Sequence, residues 1–379
     1  MVGEILNRNL TILHSESSLG WGGQEIRILE EAKGLAGRGH RLIIACQSES
    51  GLSIKAKESG LQVITLPISK ISYLSAVLKL RSIIDDYGVD ILNTHSSRDS
   101  WLGSIAGRLS KKRPVILRTR HLSTTISKGL LSRFLYEILP HRVITTGESI
   151  RNQMIIDNRF DGKKIISIPT GVNIDLFDPE RIDGTLRSEW GVSADVPAIG
   201  MVAVIRSWKG HEYFIDAAGM VLKEFPGARF FIVGDGPRKE IVSDYIKEKG
   251  LHDSIIMTGQ MDDMPQVMAS LDVLVLSSYA NEGLPQVIIQ AMAMEKPVIT
   301  TNVGSVSEVI INGETGYLVP PKNPSALADK IMSILKDDTV RVAMGKTGRR
   351  LVASRFSLEG MLDRIEDLYK EILSTGSFG

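Results

Sequence analysis

The chain has 379 residues, 43% of them apolar and 23% charged, with 45 Lys and Arg against 44 Asp and Glu. That length exceeds what one core usually supports and predicts two domains, while the mixed composition excludes a disordered or low-complexity protein. No apolar run approaches the ~18 residues of a membrane span, the N-terminus lacks the order of a signal peptide, and the single Cys46 excludes an internal disulfide, so the expectation is a cytoplasmic protein.

Leu10–His14 reads as a first strand, followed by the turn Gly20-Trp-Gly-Gly-Gln-Glu25 and an amphipathic helix Ile26–Gly37. A glycine-rich turn between strand and helix lets the backbone approach a phosphate or a sugar, and it also serves as a tight turn with no ligand. A dinucleotide fingerprint needs G-x-G-x-x-G and an acidic residue closing the second strand. Strand Arg41–Cys46 ends instead in Gln47 and Ser48, which argues against a nicotinamide dehydrogenase. Strand Leu61–Leu66, helix Ser72–Tyr87 and strand Asp90–Thr94 continue the alternation of a doubly wound parallel sheet. His95-Ser-Ser-Arg98 follows that strand, and Arg120-His121 follows strand Val115–Thr119. Residues past strand C-termini line the crevice of such sheets, although a single histidine there is more often a loop hydrogen-bonder than a catalyst.

Charge is uneven. Residues 1–190 carry 26 Lys and Arg against 20 Asp and Glu, and residues 191–379 carry 19 against 24. Within 55–142 the ratio is 15 to 6, including Lys111, Lys112, Arg113, Arg118, Arg120 and Lys128. These are either scattered solvated faces or a surface for a polyanionic acceptor or an anionic membrane. No zinc-finger spacing, basic helix or aromatic and basic interleaving points to nucleic acid.

Strand Arg142–Thr145, the turn Thr146–Ser149 and strand Ile165–Pro169 lead to the segment Thr170–Phe177, after which the polar stretch 178–192 reads as a linker. The second half alternates again. Strand Ala198–Val204 runs into Ile205-Arg-Ser-Trp-Lys-Gly210, then come helix Glu212–Glu224, strand Arg229–Val233 with Gly234-Asp-Gly-Pro237, helix Lys239–Lys249 and strand Ile255–Thr258. The apolar run Leu271–Leu276 reads as a strand buried on both faces, followed by a turn with Asn281, Glu282 and Gly283. Pro285 suits the first turn of a helix Leu284–Met294, whose free N–H groups favour an anion; the alternative is an ordinary crossover helix capped by Glu282. Along that helix Glu282 and Gln290 would lie roughly 12 Å apart. Strand Pro297–Thr300, a hairpin-like Ile311–Pro320 and an amphipathic helix Ser357–Leu373 complete the chain.

The run Asn281-Glu-Gly-Leu-Pro285 with Gln290-Ala-Met-Ala-Met-Glu-Lys-Pro-Val298 resembles the signature of the retaining glycosyltransferases of family 4. There, two glutamates separated by seven intervening residues flank an EGLP-like turn and precede an EAMA-x-G-x-PV-like run. Gln290 stands in the place of the second glutamate and Glu295 in that of the glycine. Gly22-Gly23-Gln24-Glu25, the Thr94-His95-Ser96 pattern, Thr146–Ser149, Thr170–Phe177 (with Thr170 in an asparagine's place), Lys209-Gly210 and Asn312–Pro320 are similar to further family segments. The family's arginine before that lysine is Val204 here, with Arg206 as the available substitute.

This resemblance implies the GT-B architecture, two Rossmann-like domains facing a cleft. It divides the chain into an acceptor-binding domain 1–177, onto which the C-terminal helix 357–379 packs back, the linker 178–192, and a nucleotide-sugar-binding domain 193–356. The implied reaction moves a sugar from a UDP-sugar or GDP-sugar co-substrate to a glycan or lipid-linked acceptor, such as a growing lipopolysaccharide core, with no bound cofactor and no metal. An anionic membrane surface is a further candidate partner. The implied site has Lys209 and Arg206 cradling the diphosphate, Glu282 and His121 on the donor sugar, and Gln290 on the ribose. Gly283, Leu284 and Pro285 line the donor site with Gly22 and Gly23, and Gly259 and Met261 lie near the base. Gln24, His95, Arg98 and Arg120 are the acceptor-side candidates. Two other classes stay open: a catalytically silent sugar-nucleotide-binding subunit, and a GT-B epimerase or phosphorylase.

Overall fold

In the computed structural model, residues 8–66 and 73–374 are described. Ser72, where a helix was expected to begin, lies outside them, as do residues 375–379 of the expected C-terminal helix segment. The chain divides into two compact units, Met1–Thr170 with Leu358–Gly379, and Gly171–Ser357.

The first unit is built on seven parallel strands: β1 (Thr11–Glu16), β2 (Arg41–Cys46), β3 (Gln62–Thr65), β4 (Ile91–Thr94), β5 (Val115–Arg120), β6 (Arg142–Thr145) and β7 (Ile165–Ser167). Their order is β3-β2-β1-β4-β5-β6-β7, so chain direction across the sheet reverses between β1 and β4. Burial on both faces explains near-continuous apolar strands such as Leu42–Cys46. Helix Leu358–Ser374 belongs to this unit because Leu358, Met361, Leu362, Ile365, Leu368, Tyr369 and Ile372 recur at helical spacing and bury one stripe. Gly34 permits that packing, since a Cβ there would come 2.3 Å from Leu362 Cδ1. Arg38 pins the outer edge through Asp363 and Glu366, each at 2.8 Å.

The second unit has six parallel strands: β8 (Ala198–Val202), β9 (Arg229–Val233), β10 (Ile255–Gly259), β11 (Val273–Leu276), β12 (Val298–Thr301) and β13 (Gly316–Val319), in the order β10-β9-β8-β11-β12-β13. Its reversal falls between β8 and β11. In doubly wound sheets the crevice beyond the strand C-termini at such a reversal is where ligands bind.

Local readings change in four places. Pro285 is not inside a helix: it is the cap residue, extended at ψ 124°, and the helix runs Gln286–Ala293. The interval from Glu282 to Gln290 is therefore only partly helical, and the expected ~12 Å of axial rise does not apply. The hairpin-like 311–320 segment is a turn closed by Thr315 N→Ile311 O at 3.0 Å, which feeds β13 into parallel pairing with β12. The polar stretch 178–192 contributes Leu186 and Val192 to the second unit's core, and Trp190 stacks on Phe231 with ring centroids 4.3 Å apart. Helices Gly51–Glu58, Pro324–Leu335 and Asp338–Arg355 were not singled out from the sequence.

Candidate functional site

In the second unit, three loops at strand C-termini meet around one ion pair. After β8 the chain passes through a 3₁₀ turn Ser207–Lys209 to Gly210, whose φ of 73° and close approach to Ser277 O (a Cβ would lie 2.3 Å away) require glycine. Ser277, just past β11, donates from Oγ to Gly210 O at 2.8 Å, and Tyr279 N donates to Trp208 O at 2.8 Å. From the loop after β12, Ser305 N donates to Gly283 O at 3.0 Å, and Gly304, at φ 67°, lies under the Glu282 carbonyl. Lys209 Nζ meets Glu282 Oε1 at 2.6 Å, with both side chains largely buried. Lysine has three donors, so two remain for another acceptor.

On these loops and the helix that follows lie polar atoms that the protein leaves without partners: Ser278 Oγ and Ser305 Oγ on the converging loops, and Gln286 Oε1 and Gln290 Oε1 four residues apart on one helix face. All four residues are buried. Buried polar groups are nearly always hydrogen-bonded, so the cluster calls for a polar ligand or water. Gly283 carries the turn, Leu284 is a core residue, and Pro285 caps the helix. Arg206 is exposed on the Lys209 loop, with its guanidinium 5.3 Å from the Trp208 ring centroid. Val204 makes no ionic contact, as an apolar side chain must. Gly259, at φ 77°, accepts from Gly234 N at 2.8 Å, and Met261 packs on the core. Sequence reasoning passed over Ser277, Ser278, Ser305 and Gln286, although each lies just past a strand or one turn from Gln290. It also passed over His211, whose pKa is lowered to about 4 by burial, then by Lys209 and Arg238.

In the first unit, the ends of β1, β4 and β5 carry a buried row of three histidines. His14 Nδ1 and His95 Nε2 are 3.0 Å apart, as are His95 Nδ1 and His121 Nε2. Burial lowers the pKa of all three, that of His14 to about 4, so each is neutral at pH 7. Behind His14 sits Glu31, which pairs with Arg27 at 3.8 Å and receives Asn93 Nδ2 at 3.5 Å.

Beside this row, Asp99 caps helix Ser97–Leu109 by accepting from His95 N at 2.8 Å and Ser96 N at 2.9 Å. Gln24 donates to Glu16 and, at 3.0 Å, to Ser96 Oγ. Burial pushes the carboxyl groups of Glu16, Glu25 and Asp99 upward. Gly22 is extended backbone and a Cβ on Gly23 would meet nothing within 4 Å, so neither glycine is demanded by local packing. Arg98 is exposed. Arg120 has partners within its own unit: its Nη1 donates to Tyr136 Oη at 2.6 Å and its Nη2 to Thr124. Arg118 donates to the same hydroxyl at 2.9 Å while stacking 3.9 Å from the ring centroid. These two cations anchor the segment 121–138, while Arg118 Nε and Nη1 and Arg120 Nε are buried without a hydrogen-bond partner.

Among the described residues no group of His, Cys, Asp and Glu could hold a metal ion, and no helix is long and apolar enough to cross a membrane.

Residues 21–176 match the family Glycosyltransferase Family 4, and residues 184–351 match the family Glycosyl transferases group 1. The chain is 33% identical over 196 residues to the alpha-D-kanosaminyltransferase of Streptomyces kanamyceticus, a match spanning 52% of this chain and 50% of that relative. It is 27% identical over 319 residues to the UDP-Gal:alpha-D-GlcNAc-diphosphoundecaprenol alpha-1,3-galactosyltransferase of Escherichia coli, covering 81% of each. A crystal structure of a glycosyltransferase from Rickettsia africae ESF-5 superimposes with a TM-score of 0.85 at 28% identity, covering 97% of this chain and 99% of that one.

Proposed function

We propose that this chain, which belongs to the GT-B glycosyltransferases through its Glycosyltransferase Family 4 and Glycosyl transferases group 1 domains, transfers a sugar from a nucleoside diphosphate sugar to an acceptor hydroxyl with retention of configuration. The second unit holds the donor and the first receives the acceptor. The observation that carries this reading is the Lys209–Glu282 pair together with the unpartnered polar atoms of Ser278, Ser305, Gln286 and Gln290 on the loops and helix of the same unit. In the reaction the bond from the anomeric carbon to the diphosphate oxygen breaks. The acceptor oxygen bonds to the same face of that carbon, and its proton passes to the departing diphosphate. Negative charge grows on the leaving group, where Lys209, Arg206 and the N-terminus of helix Gln286–Ala293 stabilise it. Glu282 orients sugar hydroxyls and Gln290 the ribose. Glu282 is committed to Lys209, which disfavours it as a covalent nucleophile and favours attack on the leaving-group face.

The donor is a UDP-sugar or GDP-sugar, and the acceptor is a lipid-linked or anionic glycan of cell-surface synthesis, of the lipopolysaccharide type. The name of the Escherichia coli relative, with its UDP-linked donor and diphospholipid acceptor, supports both. Exposed Leu130, Leu131, Phe134 and Ile138, beside Lys128 and Arg133, support contact with an anionic membrane face.

The test is a thermal-shift screen against UDP- and GDP-sugars, followed by NMR of the first sugar transferred or hydrolysed. A stabilising donor and an anomeric configuration equal to that of the donor are expected. An inverted product would overturn the stereochemistry. Nucleotide binding with neither transfer nor hydrolysis would identify a silent sugar-nucleotide binder.

A further inference from the structure

The His14–His95–His121 row has a direction. Each neutral imidazole owns one N–H, and the central ring, His95, makes a 3.0 Å contact through each of its nitrogens. It therefore donates at one end and accepts at the other, and only two arrangements of the row exist. In the first, His14 carries its proton on Nε2, His95 Nε2–H donates to His14 Nδ1, and His121 Nε2–H donates to His95 Nδ1. The outer nitrogen, His121 Nδ1, is then a bare lone pair. In the second, every proton is reversed, and His121 presents an N–H there.

Glu31 selects between them. Its Oε1 is 3.9 Å from His14 Nε2, too far for a hydrogen bond but close for a charge in a fully buried setting. Thr119 Oγ1 donates to Asn93 Oδ1 at 2.9 Å, which orients the Asn93 amide so that its NH₂ faces Glu31. Burial raises the pKa of this carboxyl, and Arg27 pairing on the other side together with the Asn93 amide opposes that shift in favour of the charged form. A proton on His14 Nε2 is attracted to that charge, whereas a lone pair there is repelled. Arg27, whose charge adds to burial in lowering the His14 pKa, favours the lone pair, but its Nη1 donates to Thr170 Oγ1 at 3.0 Å and its Nε lies 3.8 Å from Glu31 Oε2, which offsets that charge. His121 Nδ1 has no protein partner among the described residues, so the preference is passed to a nitrogen free to meet a ligand.

We propose that Glu31, acting through His14 and His95, fixes the tautomer of His121 so that Nδ1 accepts a hydrogen bond, making this position selective for a neutral hydroxyl over a phosphate or carboxylate. Glu31, His14 and His95 are positioning residues. The use of that lone pair by a sugar hydroxyl rests on the transferase reading above, but the tautomer itself does not.

The test is long-range ¹H–¹⁵N correlation on the ligand-free protein labelled at histidine, with His121→Gln identifying the His121 signals. The parent is expected to show His121 protonated on Nε2 and bare on Nδ1. In His14→Phe, His95 Nε2 faces an apolar ring, its proton moves to Nδ1, and His121 is expected to switch to the Nδ1–H form. Glu31→Gln keeps the shape but removes the charge, and it should populate the Nδ1–H form measurably, covering the case in which His14→Phe does not fold. A parent His121 protonated on Nδ1, or a tautomer unchanged in every folded variant, overturns the proposal. Kinetically, His14→Phe should lower kcat/KM about tenfold, with most of the loss in the sugar-bearing donor and little in affinity for the free nucleotide. A parent without transferase activity would defeat the transferase reading and leave the NMR result standing.

Discussion

Replacing Lys209 by alanine separates what the ion pair does for folding from what it does for turnover. Unit charges ~4 Å apart at an effective dielectric of ~20 interact by ~4 kcal/mol. The Lys209 side chain is 18% exposed, so solvent screening reduces this to about 3 kcal/mol. If that interaction is made with charge that develops on the departing diphosphate, kcat should fall on the order of 100-fold, while the donor KM rises less than tenfold. The same change leaves the Glu282 carboxylate buried and unpaired, which costs on the order of 3 kcal/mol of stability. Lys209→Ala with Glu282→Gln removes that stranded charge, so the melting temperature should recover while kcat does not. The assay is steady-state release of nucleoside diphosphate over a range of donor concentrations, with thermal melts of the single and double variants. Turnover within threefold of the parent in Lys209→Ala, or turnover restored in the double variant, would refute the assignment.

Three further outcomes are expected. His211 has a folded pKa of about 4 against an ordinary 6.5, so the stability it contributes is complete above pH 6.5 and is lost as pH falls toward 4, by about 3 kcal/mol in all; urea midpoints measured across this range should fall less steeply in His211→Gln, and identical slopes would exclude the effect. Tyr136→Phe removes the hydroxyl shared by Arg118 and Arg120 and should cost about 2 kcal/mol by urea unfolding, whereas no change would mean that those cations are satisfied elsewhere. Gln290→Glu keeps an acceptor on the buried helix face and should retain activity within about tenfold, or ~1.4 kcal/mol; abolished activity would show that Gln290 does not stand in for the family glutamate.

The alternation of apolar strands with amphipathic helices was legible because its two periods are carried by single residues: β2, β6 and β9 occupy the residues that the pattern marks, and β1, β4, β5 and β11 differ by one or two residues at one or both ends. The cap at Pro285 was not legible, because proline fixes φ but leaves ψ open, and ψ decides whether the residue starts the helix or precedes it. The parallel pairing of β13 was hidden for a related reason. A turn-rich Ile311–Pro320 describes a reversal of the chain, but not the strand against which the returning chain pairs.

For the candidate site, sequence order supplied the residue types and tertiary structure supplied their partners. Lys209, Glu282 and Gln290 stood out because the segments that carry them resemble the family 4 signature. Their relation depends on contacts across 73 residues, as in the Lys209–Glu282 pair, and no local pattern encodes these. The same holds for the histidines. His95 and His121 were marked singly by position, whereas His14 read as an ordinary strand residue until the pairing of β1 with β4 brought it to 3.0 Å from His95. Arg118 and Arg120 are the converse case: sequence counts their charge, but only packing shows that both donate to the Tyr136 hydroxyl. A chain's composition and periodicity determine which elements form, because those depend on each residue's own backbone and solvation preferences. Which charges remain free for a ligand depends on neighbours distant in sequence, and the fold alone decides that.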